Sequence, residues 1–113
     1  MPFINVKTNA AKVNDCKDEL KSALGEAICA IPGKSEAWLM VNIDAPGALY
    51  FNGSDAPCAM FEVSIFGSAS DASYDDLTQR LCAISQQFLG VPADRTYIKY
   101  SEIEHWGWNG MNF

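Results

Sequence analysis

The sequence predicts an α/β (α+β) fold in which two strand–helix–strand units share one mixed sheet, with both helices on a single face. Each half of the chain contains a strand pattern, a segment with apolar residues at helical spacing, and a second strand pattern. The helix ends also resemble each other, because residues 31–34 lead to Trp38-Leu39 and residues 91–94 lead to Tyr97-Ile98. We therefore expect a tandem β-α-β pseudo-repeat, and residues 1–113 as one domain.

The first unit begins with a predicted strand over residues 2–8. A helix follows, for which Asn14 or Asp15 is the candidate N-cap, because their side-chain oxygens can accept from free backbone N–H groups. Its apolar residues recur at helical spacing to about Ile31, where a Pro-Gly step ends it. Residues 38–43 then predict a strand that is apolar on both faces.

The second unit repeats this plan after a connection. Residues 48–51 predict a short strand, and Asn52-Gly53 is typical of a tight turn. A long strand is expected over residues 58–66, a helix from about residue 70 to 89, and a strand over residues 95–101.

Two helices on one face of a sheet leave the other face bare. Residues 38–43 carry apolar side chains that we expect to point to that face, and a chain this small should not leave such a patch in water. The sequence therefore predicts an oligomer that packs sheet against sheet, with sites at the seams between subunits. A short tail strand near residues 106–108 is a candidate to extend a neighbour's sheet.

Charge and composition exclude several classes of function. The net charge of −6 argues against nucleic-acid binding, although a few local cations can still focus an anionic ligand. No apolar run approaches the roughly 20 residues that span a bilayer, so no membrane partner is expected. The four cysteines form no Cys-x-x-Cys pair and there is one histidine, so we expect no metal. Reduced thiols and the lack of a visible leader indicate a cytoplasmic location.

Pro2, directly behind Met1, is the candidate catalytic residue. A small residue at this position normally allows the initiator methionine to be removed, which leaves a secondary amine at the start of a strand that would hold it rigidly. Such an amine is a compact nucleophile or base. If Met1 remains, the Pro2 nitrogen is an amide without basicity.

Short motifs along the whole chain resemble those of the macrophage migration inhibitory factor and D-dopachrome tautomerase family, in the tautomerase superfamily. The motifs are Pro2 behind Met1, Gly33-Lys34, Phe51-Asn52-Gly53-Ser54, Pro57-Cys58-Ala59, Asp94-Arg95-Thr96-Tyr97-Ile98, Gly107-Trp108-Asn109-Gly110 and Phe113. The resemblance implies a homotrimer of pseudo-symmetric β-α-β units, with active sites between neighbouring subunits.

The resemblance also implies the reaction, a keto–enol tautomerisation of phenylpyruvate-type substrates, with dopachrome isomerisation as a related activity. Pro2 would be the general base and Lys34 would bind the carboxylate of a small anionic enol or keto acid. Tyr97 would come from the adjacent subunit, and Ile65 and Phe66 would lie along the pocket floor. No cofactor is implied.

Aromatic residues are the expected walls of that pocket. The candidate walls are Phe3, Trp38, Trp106 and Phe113. Trp108 is interpreted as a packing residue. Lys99 stands where the family often has asparagine. If it points into the pocket, it would be a second substrate-binding cation and would favour acidic substrates. If it points outward, it would do nothing for catalysis.

Two other functions remain open from the sequence. One is a non-enzymatic signalling protein of the cytokine type, exported without a leader to a cell-surface receptor, with the pocket as a relic. The other is a hydrolytic relative within the superfamily, which needs polar groups to activate water; Glu62 and Glu102 are its candidates.

Overall fold

The computed structural model describes residues 1–113 and contains a four-stranded mixed sheet with two helices against one face. The strands are β1 (Pro2–Thr8), β2 (Met40–Asp44), β3 (Ala59–Phe66) and β4 (Thr96–Ile103), and the helices are α1 (Lys17–Ala27) and α2 (Asp71–Ile84). The strand order is β2-β1-β3-β4. Strand β1 is parallel to β2 and antiparallel to β3, and β3 is parallel to β4. The predicted pair of β-α-β units in one mixed sheet is confirmed.

The core lies between the helices and one face of the sheet. Along β1 the buried positions alternate with more exposed ones, and Ile4 and Val6 are fully buried. Strand β3 alternates in the same way, with Phe61 fully buried on the helix side. Leu24 and Leu81, from α1 and α2, belong to the same apolar cluster. Because strand side chains have a period of two, these strands leave their alternate residues on the face without helices, here called the open face.

The two helices differ in how closely they follow the prediction. Helix α2 is capped by Ser70, whose hydroxyl accepts a hydrogen bond from the Ser73 N–H at 3.1 Å. A π-helical turn, Ser85–Leu89, extends it to the predicted end. In contrast, Asn14 and Asp15 lie in a preceding 3₁₀ turn and do not cap α1, which begins behind Cys16 without a side-chain cap.

Two predicted strands are shorter than expected or absent. Trp38 lies in a 3₁₀ turn, Glu36–Trp38, and β2 begins only at Met40. The predicted strand over residues 48–51 is wrong, because this segment forms only a single bridge between Phe51 and Ser54. The turn predicted inside that bridge is present, with φ values of 53° and 71° at Asn52 and Gly53.

The open face is not the apolar patch that residues 38–43 led us to expect. Val41 and Ile43 pair with core residues of β1 and pack against the core, so the strand turns these apolar side chains toward the helices. Of the apolar residues in β2, only Met40 remains on the open face, where it is 69% exposed. Asn42 is next to it and donates a hydrogen bond to Asn5 at 2.8 Å. The centre of the face is therefore polar.

The C-terminal segment folds back on its own chain. Strands β5 (Gly107–Trp108) and β6 (Met111–Asn112) form a hairpin through a turn with positive φ at both central residues, 54° at Asn109 and 78° at Gly110. The Phe113 N–H donates to the Trp106 carbonyl at 3.0 Å and closes the hairpin. Within the chain, Gly107 and Trp108 therefore pair with β6. None of the helices has the length and apolar character needed to cross a membrane.

Candidate active site

Pro2 is buried at the first position of β1, opposite Ile65 of β3. The first residue of a strand is one of the few places where a central strand tolerates proline, which has no N–H to donate. The chain start is fixed further by Met1, whose carbonyl accepts a hydrogen bond from the Phe66 N–H at 3.0 Å. The sheet therefore holds the Pro2 nitrogen in a defined position.

Lys34 brings a positive charge to the same point. It follows a turn in which Gly33 has a φ of 80°, a left-handed conformation that suits glycine. Its Nζ donates to the Phe66 carbonyl at 2.9 Å. Burial lowers the pKa of the Met1 amine, and the charge of Lys34 and its hydrogen bond to that amine lower the pKa further.

An apolar cavity of about 700 Å³ opens beside this chain start. Nine of its twelve lining residues are hydrophobic, so a small number of polar groups meets an otherwise apolar surface, as in most small-molecule sites. The lining residues are Met1, Pro2, Phe3, Ala37, Trp38, Leu39, Met40, Ser64, Ile103, Trp106, Gly107 and Trp108. Four of the residues expected at the pocket are therefore present in it: Pro2, Phe3, Trp38 and Trp106.

A row of four aromatic rings borders the site. The ring of Phe66 lies 5.6 Å from that of Phe113, which stacks on Trp108 at 6.2 Å. Trp108 in turn meets Trp38 edge to face at 5.2 Å. This row joins the end of β3 to the segment before β2 through the C-terminal hairpin.

The family model for macrophage migration inhibitory factor matches residues 1–113, the entire chain. The chain belongs to the macrophage migration inhibitory factor family. Macrophage migration inhibitory factor from Xenopus laevis is 29% identical, over 100% of this chain and 99% of the relative. The crystal structure of MIF2 from Leishmania major superposes with a TM-score of 0.91 at 30% identity, over 100% of this chain and 97% of that chain. The homologue from Prochlorococcus marinus has a TM-score of 0.79 at 30% identity, covering 98% of each chain.

Tyr97, which the family resemblance singled out, lies far from Pro2 of its own chain. Tyr97 pairs with Met60 of β3, whereas Pro2 pairs with Ile65. Five residues of strand separate these two positions, which corresponds to roughly 17 Å. Tyr97 is 61% exposed and its ring meets Phe51 edge to face at 5.0 Å. A contact between Tyr97 and a Pro2 cavity therefore requires a second subunit.

Lys99 faces a carboxylate on the open face and does not line the cavity of its own chain. Its Nζ lies 3.1 Å from one oxygen of Glu62, and Lys7 lies 3.2 Å from the other. Asn5 donates a third contact to this carboxylate at 3.1 Å. The hydrogen bonds from Lys99 and Lys7 lower the pKa of Glu62, so its carboxylate remains ionised and engaged.

Ile65 and Phe66, which were expected along the pocket floor, do not line the cavity of this chain. The Ile65 side chain is 1% exposed within the core, on the helix side of the sheet, and does not line the cavity. Phe66 acts through its backbone, because its N–H binds the Met1 carbonyl and its carbonyl binds Lys34.

Glu62 and Glu102, the candidates for a hydrolytic site, lie on opposite faces of the sheet. Glu102 is on the helix side, where it accepts a hydrogen bond from the Tyr74 hydroxyl at 2.6 Å. Neither carboxylate lines the cavity. The structure therefore brings together no pair of carboxylates that could activate water beside Pro2.

Trp108, interpreted from the sequence as a packing residue, lines the cavity, and the lining residues that were missed include Ile103, Met40 and Ser64. The available signal for Trp108 was its place before an Asn-Gly turn, which folds the tail back on itself. No comparable signal in the sequence marks the other three residues, because their position depends on pairing between distant strands.

Proposed function

We propose that this protein is a keto–enol tautomerase of phenylpyruvate-type 2-oxo acids, with the Pro2 amine as general base once Met1 has been removed. The observation that supports it best is the chain-start amine held beside Lys34 at the edge of an apolar cavity. Dopachrome isomerisation belongs to the same class of proton transfer and is proposed as a second reaction of the same site.

The base requires a nitrogen that is unprotonated at working pH. An ordinary α-amino group titrates near ~8, so it is largely protonated at neutral pH. Burial and a nearby cation both disfavour the charged amine, and both act on the chain start here. After removal of Met1 the amine belongs to Pro2, which is buried more deeply than Met1.

Two polar groups near the chain start are available to orient the substrate. Lys34 supplies a positive charge for the carboxylate. The Phe66 N–H, which binds the Met1 carbonyl in the unprocessed chain, becomes a second donor after processing. The aromatic row from Phe66 to Trp38 suits a planar phenyl ring.

The proton transfer needs no oxidant and no cofactor. The Pro2 nitrogen removes a proton from C3 of the keto acid, and the electron pair of that C–H bond forms the C2–C3 double bond of the enol. The carbonyl oxygen gains a proton from solvent, and Pro2 returns its proton to solvent. Substrate and product are isomers.

The tautomerase proposal is tested by comparing two forms of the protein that differ only at the chain start. One has a free Pro2, verified by mass, and the other keeps Met1 behind a short peptide extension. We expect p-hydroxyphenylpyruvate turnover, followed by ultraviolet absorbance, only for the free Pro2 form, because an acylated nitrogen has no basicity. Equal turnover by both forms would mean that another group is the base.

We also propose that the active assembly is a homotrimer in which Tyr97 and Lys99 of one subunit approach the Pro2 cavity of another. The support is that the open face has no covering element, and that Tyr97 is exposed and far along the sheet from its own Pro2. Light scattering coupled to size exclusion is expected to give three times the chain mass of 12.4 kDa. A stable monomer would overturn this proposal.

A signalling role of the cytokine type is a second candidate, supported by the relatives, several of which carry the name macrophage migration inhibitory factor. A receptor on the cell surface would be the partner, reached by leaderless export from the cytoplasm. Chemical blocking of the Pro2 amine separates the two roles, because it removes the base and leaves the outer surface unchanged. Loss of receptor binding together with turnover would instead place both roles at the pocket.

A further inference from the structure

The turn that follows Phe66 is fastened to β4 by contacts that no step of the proposed reaction uses. The Gly67 N–H donates to the Ile103 carbonyl at 3.1 Å. The Ala69 N–H donates to Oε2 of Glu102 at 3.3 Å, and the Tyr74 hydroxyl donates to the same oxygen at 2.6 Å. One carboxylate oxygen therefore ties the turn, residues 67–70, to the first part of α2.

We propose that Glu102, together with Tyr74, is a positioning residue of the active site, because it fixes the turn that holds the Phe66 backbone against Lys34. This inference rests on the proposed function of the site. It assigns a role to two residues that lie on the helix side of the sheet and touch neither the cavity nor the chain start.

The argument follows the covalent chain from the turn to the site. Phe66 is the last residue of β3 and the residue directly before the turn. Its carbonyl is the acceptor that places the Lys34 ammonium, and its N–H contacts the chain start. Gly67 has a φ of 90°, so the chain changes direction immediately after Phe66, and the Phe66 carbonyl belongs to the peptide unit that joins β3 to the turn.

The other end of the turn is also held. Ser70 caps α2, so the turn is clamped between the helix start and β4. Tyr74 remains a hydrogen-bond donor throughout the working pH range, because burial and the Glu102 carboxylate raise its pKa to about 12. Its ring packs on Tyr100 with 4.6 Å between centroids, which directs the hydroxyl toward Glu102.

Tyr100, whose ring packs on Tyr74, provides a matched control. The Tyr100 hydroxyl bonds to the Thr78 hydroxyl at 2.7 Å and donates to the Tyr74 carbonyl at 3.3 Å, but it makes no hydrogen bond to Glu102 or the turn. Tyr100→Phe therefore removes a hydroxyl from the same pair of packed rings and keeps the hydrogen bonds of Ala69 and Tyr74 to Glu102.

The test compares Glu102→Ala and Tyr74→Phe with Tyr100→Phe, all with a free Pro2. We expect the KM for p-hydroxyphenylpyruvate to rise about threefold in Tyr74→Phe, which loses one hydrogen bond to Glu102, and about tenfold in Glu102→Ala, which loses two. Tyr100→Phe should keep the KM of the wild type. If Glu102→Ala fails to fold, Tyr74→Phe carries the test, since it removes a single hydroxyl.

A second measurement is independent of turnover. The Pro2 amine is labelled with phenyl isothiocyanate over a range of pH, and the label is located by mass in the N-terminal peptide; only the neutral amine reacts. Displacement of Lys34 should move this titration to higher pH in Glu102→Ala and not in Tyr100→Phe. Identical titrations and KM values in these two variants would overturn the positioning role. A shifted titration in a protein without turnover would uphold it and reject the tautomerase.

Discussion

Replacing Pro2 with glycine is expected to lower kcat/KM for p-hydroxyphenylpyruvate by at least ~100-fold, within the ~10²–10⁴-fold range of a positioned general base. Glycine still supplies a chain-start amine, but it lacks the ring that fixes φ and that is buried against β3. The amine would therefore lose its fixed position beside Lys34. The glycine amine would also be primary, whereas the proline amine is secondary, and it would have more space around it.

The assay compares Pro2→Gly with wild type, both with verified removal of Met1. Pro92→Gly is a suitable control, since Pro92 is exposed and lies outside the cavity. Circular dichroism spectra of both variants are compared with that of wild type to check that the fold is kept. If Pro2→Gly retains kcat/KM within threefold of wild type, the nitrogen of residue 2 is not the base.

Replacing Lys34 with glutamine is expected to raise the KM about tenfold to a hundredfold, because the substrate carboxylate loses a charged hydrogen-bond partner. The same change should move the acid limb of the kcat/KM–pH profile to higher pH. Lys34 lowers the pKa of the Met1 amine. We expect the same influence on the Pro2 amine after processing, so removal of Lys34 should raise that pKa. At a given pH below the limb, a larger fraction of the amine is then protonated and inactive as a base.

Two control variants separate the effect of Lys34 on the KM from its effect on the acid limb. Lys34→Arg keeps the positive charge, so its acid limb should stay near that of wild type even where the KM changes. Lys21→Gln removes an exposed lysine of α1 and should leave both quantities unchanged. An acid limb in Lys34→Gln that coincides with wild type would contradict the proposed influence of this lysine on the base.

Much of the fold follows from local patterns in the chain. The sequence predicts strands β1 and β3 from apolar residues that repeat every two positions, and helix α2 from a repeat of 3.6. Both repeats can be read from neighbouring residues in the chain. The predicted start of α1 is wrong. Asn14 and Asp15 are suitable caps by residue type, but both lie in a 3₁₀ turn before the helix.

The sequence named candidate site residues but could not place most of them relative to one another. Pro2 and Lys34 are two of the residues that carry the resemblance to the family, and in the structure Lys34 acts on the Met1 amine, one residue before Pro2. The role of the Phe66 backbone was not visible, because its two hydrogen bonds join residues that are distant in the chain. Lys99 could not be oriented from the sequence, since its partner, Glu62, lies on another strand.

The repeat, the alternation of strands and helices, and the residue types at the chain start can all be read from the chain, because each depends on spacing along it or on the chemistry of single residues. The tertiary structure decided which face each strand presents, where the aromatic tail returns, and what the turn after Phe66 is fastened to. These depend on register between strands, and a shift of one residue would exchange the two faces of a strand. Glu102 and Tyr74, 28 residues apart, meet only because that register is fixed.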